Sequence, residues 1–325
     1  MHRQPAIARE PALHAARLKL ADLLGASDTM KEQVGLIGVG LMGHGIARNL
    51  LRHGYQLTVT EHPGIQPLDE LVAAGVRTCR LAAEVARAAD VIILCVTGSP
   101  EVEAVLSGPD GVLDGLRQNA IVIDCSTAVP ASTQRMAGLV EKAQGRFVDA
   151  PMTRTARHAR EGKLNLLVGG DVEAIENATP ILSCFAENIT HVGPVGSGHR
   201  MKLLHNYVSL GFIALLAEAS ACARRSGVAP DVFIDVLAKG GGNGTALDRL
   251  KPYLLEQDTS GLQFTMTNAL KDLTYYSQMA RDIGAVSGIA DAVTRTFDGG
   301  VRHCKRDAMV PELVDILAEV AAREE

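Results

Sequence analysis

One predicted helix carries four polar side chains at intervals that bring them together. Lys202 is followed by His205, Asn206 and Ser209 at three, four and seven residues, so all four lie near one helix face. Their neighbours are mostly apolar, which indicates a buried helix, and polar groups on a buried helix need partners or a function. A desolvated lysine has a lowered pKa and can exchange a proton with a substrate hydroxyl. The spacing is equally compatible with a lysine whose ammonium simply reaches water.

Three glycines have the spacing of a dinucleotide-binding loop. Gly38, Gly40 and Gly43 form the pattern G-x-G-x-x-G between an apolar run and a helical run. The first glycine permits a tight turn, the second lets a pyrophosphate approach the backbone, and the third lets the helix pack against the sheet. The N-terminus of that helix then faces the phosphates. We therefore predict a dinucleotide site here, the alternative being an unrelated glycine-rich turn.

An acidic residue ends the second predicted strand, "QLTVT", where it can bind ribose. The Glu61 carboxylate can accept hydrogen bonds from both ribose hydroxyls of an adenosine and would repel a 2'-phosphate. The next residues, 62–64, include no arginine to receive a phosphate, although His62 could become cationic. We therefore predict NAD as the cofactor and regard NADP as the less favoured choice.

The loop "DAPMTRTAR" turns from apolar to cationic within a few residues. Arg154 lies between Thr153 and Thr155, and its guanidinium is a planar fork suited to carboxylate, phosphate or sulfonate oxygens. We predict that it binds the acidic end of a small substrate. The alternative is a surface arginine without a ligand.

The first large part of the chain alternates short apolar runs with amphipathic helical stretches. This alternation is typical of crossover units on a largely parallel, doubly wound sheet, the α/β class. The predicted strands are 34–37, 56–60, 91–96, 120–124, 147–150 and 164–168.

Beyond Gly198 the pattern becomes helical throughout. Residues 200–227 read as one long helix, and the change of pattern marks a junction between an α/β domain and an all-α domain, where clefts commonly form. We predict an N-terminal extension at 1–32, a dinucleotide-binding domain at 33–196 and an all-helical domain for substrate binding and oligomerisation at 197–325. We assign no function to the extension.

Composition excludes several classes of function. The 325 residues carry a net charge of -5 without a basic stripe, and aromatic residues make up only 3%, so nucleic acid is not an expected partner. The first 29 residues lack the apolar region of a signal sequence or membrane span. The six cysteines include no CxxC pair and the histidines no metal-ligand spacing. We predict a cytoplasmic protein without a metal.

Five segments in order resemble the β-hydroxyacid dehydrogenase family, which includes 3-hydroxyisobutyrate dehydrogenase and tartronate semialdehyde reductase. They are "GLIGVGLMG", "DCSTAVP", "DAPMTRT" with "EGKLNLLVGGD", "GSGHRMKLLHNY" and "FTMTNALKDL". The resemblance covers about residues 33–320. It implies a Rossmann domain, an all-α domain joined to it through a long interdomain helix, and NAD-dependent oxidation or reduction of a small hydroxy acid.

The resemblance also assigns roles to individual residues. Lys202 becomes the catalytic residue and Asn206 its companion, while Ser126 becomes a substrate ligand. The predicted cofactor contacts are Gly38, Gly40, Leu41, Met42, Gly43, Glu61, Val96, Thr97, Thr127 and Lys271. Read without the resemblance, Lys271 and Asp272 look like an ordinary exposed pair on a helix.

The Thr153-Arg154-Thr155 sequence departs from the Ser-Gly-Gly of most family members. Arg-Thr here, together with Ser209 after the lysine, is similar to sulfolactaldehyde reductase, although Thr153 replaces a glycine and His205 an asparagine of that enzyme. We predict Thr153, Arg154, His205 and Ser209 as substrate-binding residues, with a protonated His205 able to serve an anion.

The resulting hypothesis is an enzyme acting on a small anionic β-hydroxy acid or sulfonate, best matched by a reductase of sulfolactaldehyde or a semialdehyde. Dehydrogenases of the 3-hydroxyisobutyrate or tartronate semialdehyde type are the alternative, and a non-catalytic dinucleotide-binding adaptor is a third. An imine reductase is disfavoured by Lys202. The long apolar helix also predicts a homodimer or homotetramer.

Overall fold

The fold is described from a computed structural model, which covers residues 31–62, 67–304 and 308–323, with side chains described up to residue 319. The described residues from Gln33 onward pack as one compact unit. The predicted extension at 1–32 lies almost entirely outside the described residues, as do positions 63 and 64 used in the choice between NAD and NADP.

In the part of the chain that the structure describes, nine strands form a single sheet whose first six members are parallel. In spatial order the path is β3-β2-β1-β4-β5-β6-β8-β7, with β9 on the other side of β8. The chain therefore winds outward from β1 in both directions, and the order reverses between β1 and β4. The strands are β1 Val34–Ile37, β2 Leu57–Thr60, β3 Arg77–Cys79, β4 Val91–Leu94, β5 Ile121–Asp124, β6 Arg146–Asp149, β7 Met152–Thr153, β8 Leu164–Gly170 and β9 Ala186–Gly193.

Within residues 31–62 and 67–195, the described ranges of the sheet region, seven helices accompany these strands and bury the sheet. Two apolar clusters of the sheet region contain the side chains of the central strands, which are buried along their whole length and so appear as continuous apolar runs. The helices are α1 Leu41–Arg52, α2 Asp69–Ala73, α3 Ala82–Arg87, α4 Ser99–Ser107, α5 Pro130–Lys142, α6 Ala156–Glu161 and α7 Val172–Leu182.

All six predicted strands are confirmed within a few residues at their ends, and three strands were missed. β3 and β7 contain only three and two residues, which is too short for a periodic signal. β9 has a mixed pattern of burial with four exposed side chains, so its sequence does not alternate clearly. β8 runs antiparallel to β6 and extends beyond the carboxyl edge of the parallel strands.

The remaining described residues are mainly helical and enclose a core of their own, as the sequence predicts. That core contains residues such as Leu210, Ile213, Leu250, Leu273 and Phe297. The helices are α8 Ser197–Arg225, α9 Pro230–Ala238, α10 Thr245–Glu256, α11 Met266–Asp282, α12 Gly288–His303 and α13 Leu313–Arg323.

The long helix α8 begins three residues earlier than predicted because a strand of the sheet caps it. The Asp149 carboxylate, at the end of β6, accepts hydrogen bonds from the backbone of Gly196 at 2.7 Å and of His199 at 2.9 Å. These bonds satisfy amides that a helix leaves unpaired at its N-terminus. The catalytic-helix candidate is therefore attached directly to the carboxyl edge of the sheet.

Among the described residues, α8 is the one helix long and apolar enough to cross a membrane. Length and composition alone are weak evidence, because the core helix of a soluble protein has the same properties. Here α8 packs against α10, α11, α12 and α13. The helix is thus the central helix of a folded domain.

Candidate active site

The glycine loop lies where the strand order reverses, the usual ligand position in a doubly wound sheet. Gly38 has a φ of 99°, and a Cβ there would lie 2.2 Å from the carbonyl oxygen of Cys95. A Cβ on Gly43 would lie 2.0 Å from the carbonyl oxygen of Gly38. Both positions therefore require glycine for the loop to close against the neighbouring strand and helix.

The N-terminus of α1 has the features of a phosphate cradle. Gly40 precedes the helix, and no side chain caps it. Apart from Gly40 itself and its two chain neighbours, no described heavy atom lies within 4 Å of where a Cβ of Gly40 would be. The backbone amides of Leu41, Met42 and Gly43 follow in the first turn, where the helix dipole favours an anion. These residues fit the pyrophosphate of a dinucleotide.

Glu61 directly follows β2 at the same edge of the sheet. Its side chain is exposed, and its backbone amide donates to the carbonyl of Cys79 at 2.8 Å, which extends the pairing of β2 and β3. The carboxylate is therefore free of burial and lies at the strand end where a ribose is expected.

The loop after β4 is bound to helix α11 of the helical region. The ammonium of Lys271 donates to the carbonyl of Thr97 at 2.5 Å and lies 5.3 Å from the ring centre of Tyr275. Ser99 donates its backbone amide to the Tyr275 hydroxyl at 3.3 Å. Lys271 and Thr97, two predicted cofactor contacts, are thereby brought together, and Asp272 is not the exposed residue that the isolated pattern suggested, because only 3% of it is accessible.

Ser126 and Thr127 follow β5 and lie beside the loop of β4. The Val96 amide donates to the Ser126 hydroxyl at 3.1 Å, and the Ser126 amide donates to the Asp124 carboxylate at 2.9 Å. Ser126 is buried, whereas Thr127 is partly accessible. The Ser126 hydroxyl oxygen accepts this bond, and its proton is available to another acceptor.

Lys202 and Asn206 meet Asp272 between α8 and α11. The Asn206 side-chain amide donates to the Asp272 carboxylate at 2.6 Å in a buried position. The other oxygen of that carboxylate lies 3.1 Å from the Lys271 ammonium without hydrogen-bond geometry. Burial lowers the pKa of Lys202 to about 8, and the nearby Asp272 carboxylate raises it while Lys271 and Arg249 lower it. Lys202 can therefore donate or accept a proton near neutral pH.

His205, a predicted substrate-binding residue, lies next to this group. Desolvation lowers the pKa of His205, the hydrogen bond to Asn206 raises it, and the cations Lys202 and Arg249 lower it further. Its Nδ1 lies 3.0 Å from the side-chain oxygen of Asn206. An imidazole with a pKa below its ordinary value is neutral at neutral pH, which does not favour the charged, anion-binding state considered for it. Ser209 lies further along α8 and is partly buried.

Arg154 follows β7 and is already engaged by protein groups. Its guanidinium donates to the Lys163 carbonyl and to the Glu187 carboxylate, each at 2.5 Å. Its φ of 79° lies in the left-handed region, which a side chain adopts at some cost in strain. Thr153 is buried and pairs with Asn165 across β7 and β8. An anion that binds Arg154 must therefore compete with Glu187.

Four buried residues of this region were missed or undervalued in the sequence: Asp124, Asp149, His199 and Asp272. Asp124 and Asp149 are the last residues of β5 and β6 and directly follow apolar runs, a signal that could have identified them. His199 had no such signal, because a histidine in the first turn of a helix has no characteristic spacing.

The phosphate cradle at the N-terminus of α1 lies where the strand order of the sheet reverses, and Lys202 on α8 has a lowered pKa. Together these features are typical of a dinucleotide-dependent oxidoreductase. Residues 33–193 match the model of the NAD binding domain of 6-phosphogluconate dehydrogenase. Residues 196–317 match that of the NAD-binding domain of NADP-dependent 3-hydroxyisobutyrate dehydrogenase. The chain belongs to the β-hydroxyacid dehydrogenase family and binds a nicotinamide dinucleotide.

Individual relatives agree with this family. An uncharacterized oxidoreductase of Synechocystis is 34% identical over 79% of this chain and 88% of its own. The 3-sulfolactaldehyde reductase of Escherichia coli is 35% identical over 63% of this chain and 68% of its own. The crystal structure of a 3-hydroxyisobutyrate dehydrogenase from Salmonella typhimurium covers 88% of this chain and all of its own, with a TM-score of 0.77 and 26% identity.

Proposed function

We propose that the enzyme interconverts a small anionic β-hydroxy acid, or a hydroxy sulfonate, and its aldehyde or ketone, with Lys202 as the acid and base. The bound nicotinamide supplies or accepts the hydride. Lys202 donates a proton to the substrate oxygen in reduction and removes it in oxidation. Reduction of sulfolactaldehyde or a semialdehyde is the specific reaction that we favour.

The observation that carries the proposal is the position of Lys202 on α8, one turn before Asn206 and its buried bond to Asp272, where burial lowers the lysine pKa to about 8. A general acid or base works best when its pKa lies near the operating pH, and an exposed lysine does not meet this condition. Asn206 supports the same role, because its bond to Asp272 holds a carboxylate beside the lysine. Asn206 is therefore a positioning residue for Lys202.

The anionic end of the substrate would be bound by Arg154, with Ser126, Thr153 and Ser209 nearby in the proposed arrangement. The Glu187 carboxylate, 2.5 Å from the guanidinium of Arg154, resembles the carboxylate or sulfonate that would replace it. An exposed ion pair of this kind contributes only about 0.2–1 kcal/mol, so a substrate anion can displace it at modest cost.

We infer NADH as the preferred cofactor, because the Glu61 carboxylate lies exposed at the end of β2. A carboxylate there accepts hydrogen bonds from ribose hydroxyls and repels a 2'-phosphate. Comparing kcat/KM for NADH and NADPH tests this preference, and a higher value for NADPH would overturn it.

The substrate is tested by following NADH oxidation with sulfolactaldehyde, succinic semialdehyde, methylmalonate semialdehyde and tartronate semialdehyde at matched concentrations. The highest kcat/KM with sulfolactaldehyde is the expected result. A higher kcat/KM with one of the carboxylated aldehydes would leave the proposed type of reaction unchanged and would identify the anionic group of the substrate as a carboxylate. Turnover with none of the four would contradict the proposed substrate class.

Two variants test the assigned residues in the same assay. Lys202→Ala should lose most turnover, by about 100-fold or more, and retain its affinity for NADH, since acid or base catalysis contributes factors of this size. Arg154→Ala should raise KM for the anionic substrate far more than it weakens NADH binding. Equal loss of substrate and cofactor binding in Arg154→Ala would refute the assignment of Arg154 to the substrate.

A dehydrogenase of the 3-hydroxyisobutyrate type is the second candidate. It is favoured by the pairing of Arg154 Nη1 with Glu187 and the Lys163 carbonyl, because the charge of Arg154 then already has a partner within the protein. In that case Arg154→Ala would leave KM unchanged, whereas Lys202→Ala would still abolish turnover.

A further inference from the structure

A buried polar cluster lies where the sheet meets the start of α8. It consists of Asp124, Thr133, Asp149 and His199, none of which is more than 1% exposed. Burying two carboxyl groups and an imidazole is costly unless hydrogen bonds compensate for the lost water. The cluster joins four separate elements, namely β5, α5, β6 and α8.

The imidazole of His199 connects the loop after β5 and helix α5 to helix α8. Its Nε2 lies 3.2 Å from the carbonyl oxygen of Ser126, and its Nδ1 lies 2.8 Å from the hydroxyl of Thr133. A carbonyl oxygen only accepts hydrogen bonds, so Nε2 carries the proton and donates it. Nδ1 forms its bond with the Thr133 hydroxyl, which also donates to the Val129 carbonyl at 3.3 Å.

The two aspartates accept hydrogen bonds from backbone amides of the same two segments, the loop after β5 and the start of α8. Asp124 accepts from the Ser126 amide at 2.9 Å, and Asp149 accepts from the amides of Gly196 and His199. The second oxygen of Asp124 has no hydrogen-bond partner among the described residues and lies 3.9 Å from Nε2 of His199. Ser126 is therefore fixed through its amide by Asp124 and through its carbonyl by His199.

His199 and Lys202 are three residues apart and lie in neighbouring positions on one face of α8. The bond from His199 to Ser126 therefore sets the separation between the loop that carries Ser126 and the turn that carries Lys202. Both residues act on one substrate in the proposed function, Ser126 by binding it and Lys202 by proton transfer. A displacement of about 1 Å between such groups can lower the rate by about 100-fold.

We propose that His199 is a positioning residue for the reaction: its Nε2–H bond to the Ser126 carbonyl holds the substrate loop at a fixed distance from Lys202. The inference rests on the proposed function, because it requires Ser126 and Lys202 to meet the same substrate. It assigns no role in proton transfer to His199, which has no exposure to a ligand.

Two substitutions separate the two nitrogen atoms of the ring. In His199→Gln the side-chain amide can occupy the place of Nε2 and donate to the Ser126 carbonyl. In His199→Asn the shorter side chain reaches only the place of Nδ1, near Thr133. We expect His199→Gln to keep kcat within about threefold of the parent, and His199→Asn and His199→Leu to lower it by about 10- to 100-fold. NADH affinity should remain within about twofold in all three, an order-of-magnitude expectation.

Thr133→Val is the matched control, because it removes the bond at Nδ1 and leaves that at Nε2. Thr133→Val should lower the melting temperature and leave kcat within about threefold of the parent value. Each kcat is measured well below the melting temperature of its variant. If His199 had only a structural role, kcat would decrease in proportion to the loss of melting temperature in all four variants. Equal kcat values for His199→Gln and His199→Asn would overturn the proposal, even if His199→Leu does not fold.

Lys202→Ala, measured in parallel, distinguishes failure of this inference from failure of the proposed function. Loss of turnover in Lys202→Ala with an undiminished kcat in His199→Asn and His199→Leu overturns the role of His199 alone. Unchanged turnover in Lys202→Ala overturns the proposed function, and with it the positioning role, since no proton transfer from Lys202 would then need to be aligned.

Discussion

The chemistry of Lys202 depends on a few neighbouring atoms. Burial lowers its pKa, and Asp272 limits the decrease to about 8 while Asn206 holds that carboxylate in place. Without the carboxylate, the cations Lys271 and Arg249 would lower the pKa further. The pKa of Lys202 is therefore set by opposing effects that can be changed one at a time.

The pH dependence of the reaction should show this pKa with opposite signs in the two directions. Reduction needs protonated Lys202, so kcat/KM should be constant at lower pH and fall as pH rises through about 8. Oxidation needs the neutral amine, so kcat/KM should rise with pH and level off above about 8. Profiles for both directions check this, and the same sign in both would contradict the assignment.

Asp272→Asn should move both profiles to lower pH. The substitution removes the carboxylate that raises the pKa of Lys202 and keeps an amide oxygen for Asn206 to bond. Loss of an opposite charge at this range shifts a pKa by about one unit or more. The exposed Asp258→Asn is the control and should leave the midpoint in place; an upward shift in Asp272→Asn would refute the account.

Glu187→Gln tests the competition at Arg154. Removing the carboxylate frees the guanidinium, so KM for the anionic substrate should fall by up to about fivefold, matching an exposed ion pair of about 1 kcal/mol or less. Glu161→Gln, which breaks the pair of Glu161 with Arg157 on the nearby helix α6, should leave KM unchanged. A rise of KM in Glu187→Gln would show that the pair holds Arg154 in its productive position.

Helix α8 reaches its position because its first turn approaches the sheet without side chains between them. A Cβ on Gly198 would lie 2.3 Å from the carbonyl oxygen of Leu167 and 2.8 Å from that of Asp149. β8 and β6 therefore contact the helix backbone directly. The same contact brings His199 and Lys202 to the carboxyl edge of the sheet.

Gly198→Ala should consequently destabilise the protein by about 1–3 kcal/mol, the range for overpacking a close contact. Gly211→Ala on the same helix is the control, because its Cβ would meet only a Val293 methyl at 4.0 Å. That control should be neutral or stabilising by up to about 1 kcal/mol. Thermal melts measure both, and equal melting temperatures would mean that the helix start adjusts without cost.

The exposed surface of α8 is relevant to how copies of the chain assemble. Five large apolar side chains lie exposed along one face of this helix: Met201, Leu204, Val208, Phe212 and Leu215. Their spacing of three and four residues makes them a continuous stripe. A stripe of this kind on a central helix supports the predicted homodimer or homotetramer of the chain.

The double variant Phe212→Glu/Leu215→Glu should therefore lower the molar mass in solution by placing two charges in the proposed interface. Light scattering coupled to gel filtration measures the mass. Val172→Glu, a charge placed on an exposed valine of α7, is the control and should leave the mass unchanged. A parent protein that is monomeric at micromolar concentration would refute the prediction.

Most of the fold could be predicted from local patterns. The apolar strands, the glycine spacing at Gly38, Gly40 and Gly43 and the polar residues on the face of α8 each depend on neighbours within a few residues, and these patterns also carried the family and the reaction class. The short strands β3 and β7 were missed because two or three residues make no period. β9 was missed because it is an edge strand with a mixed pattern.

The details of the candidate site depended instead on contacts between distant residues. Asp272 is buried and accepts a hydrogen bond from Asn206, rather than being exposed beside Lys271. Arg154 forms an ion pair with Glu187. Asp149 and His199 meet only because β6 ends beside the start of α8. Spacing along the chain determines which side chains share a strand or helix face, but partners, burial and pKa values arise where separate elements pack together. For this reason the type of reaction was readable from local sequence, and the alignment of its residues was a property of the packed structure.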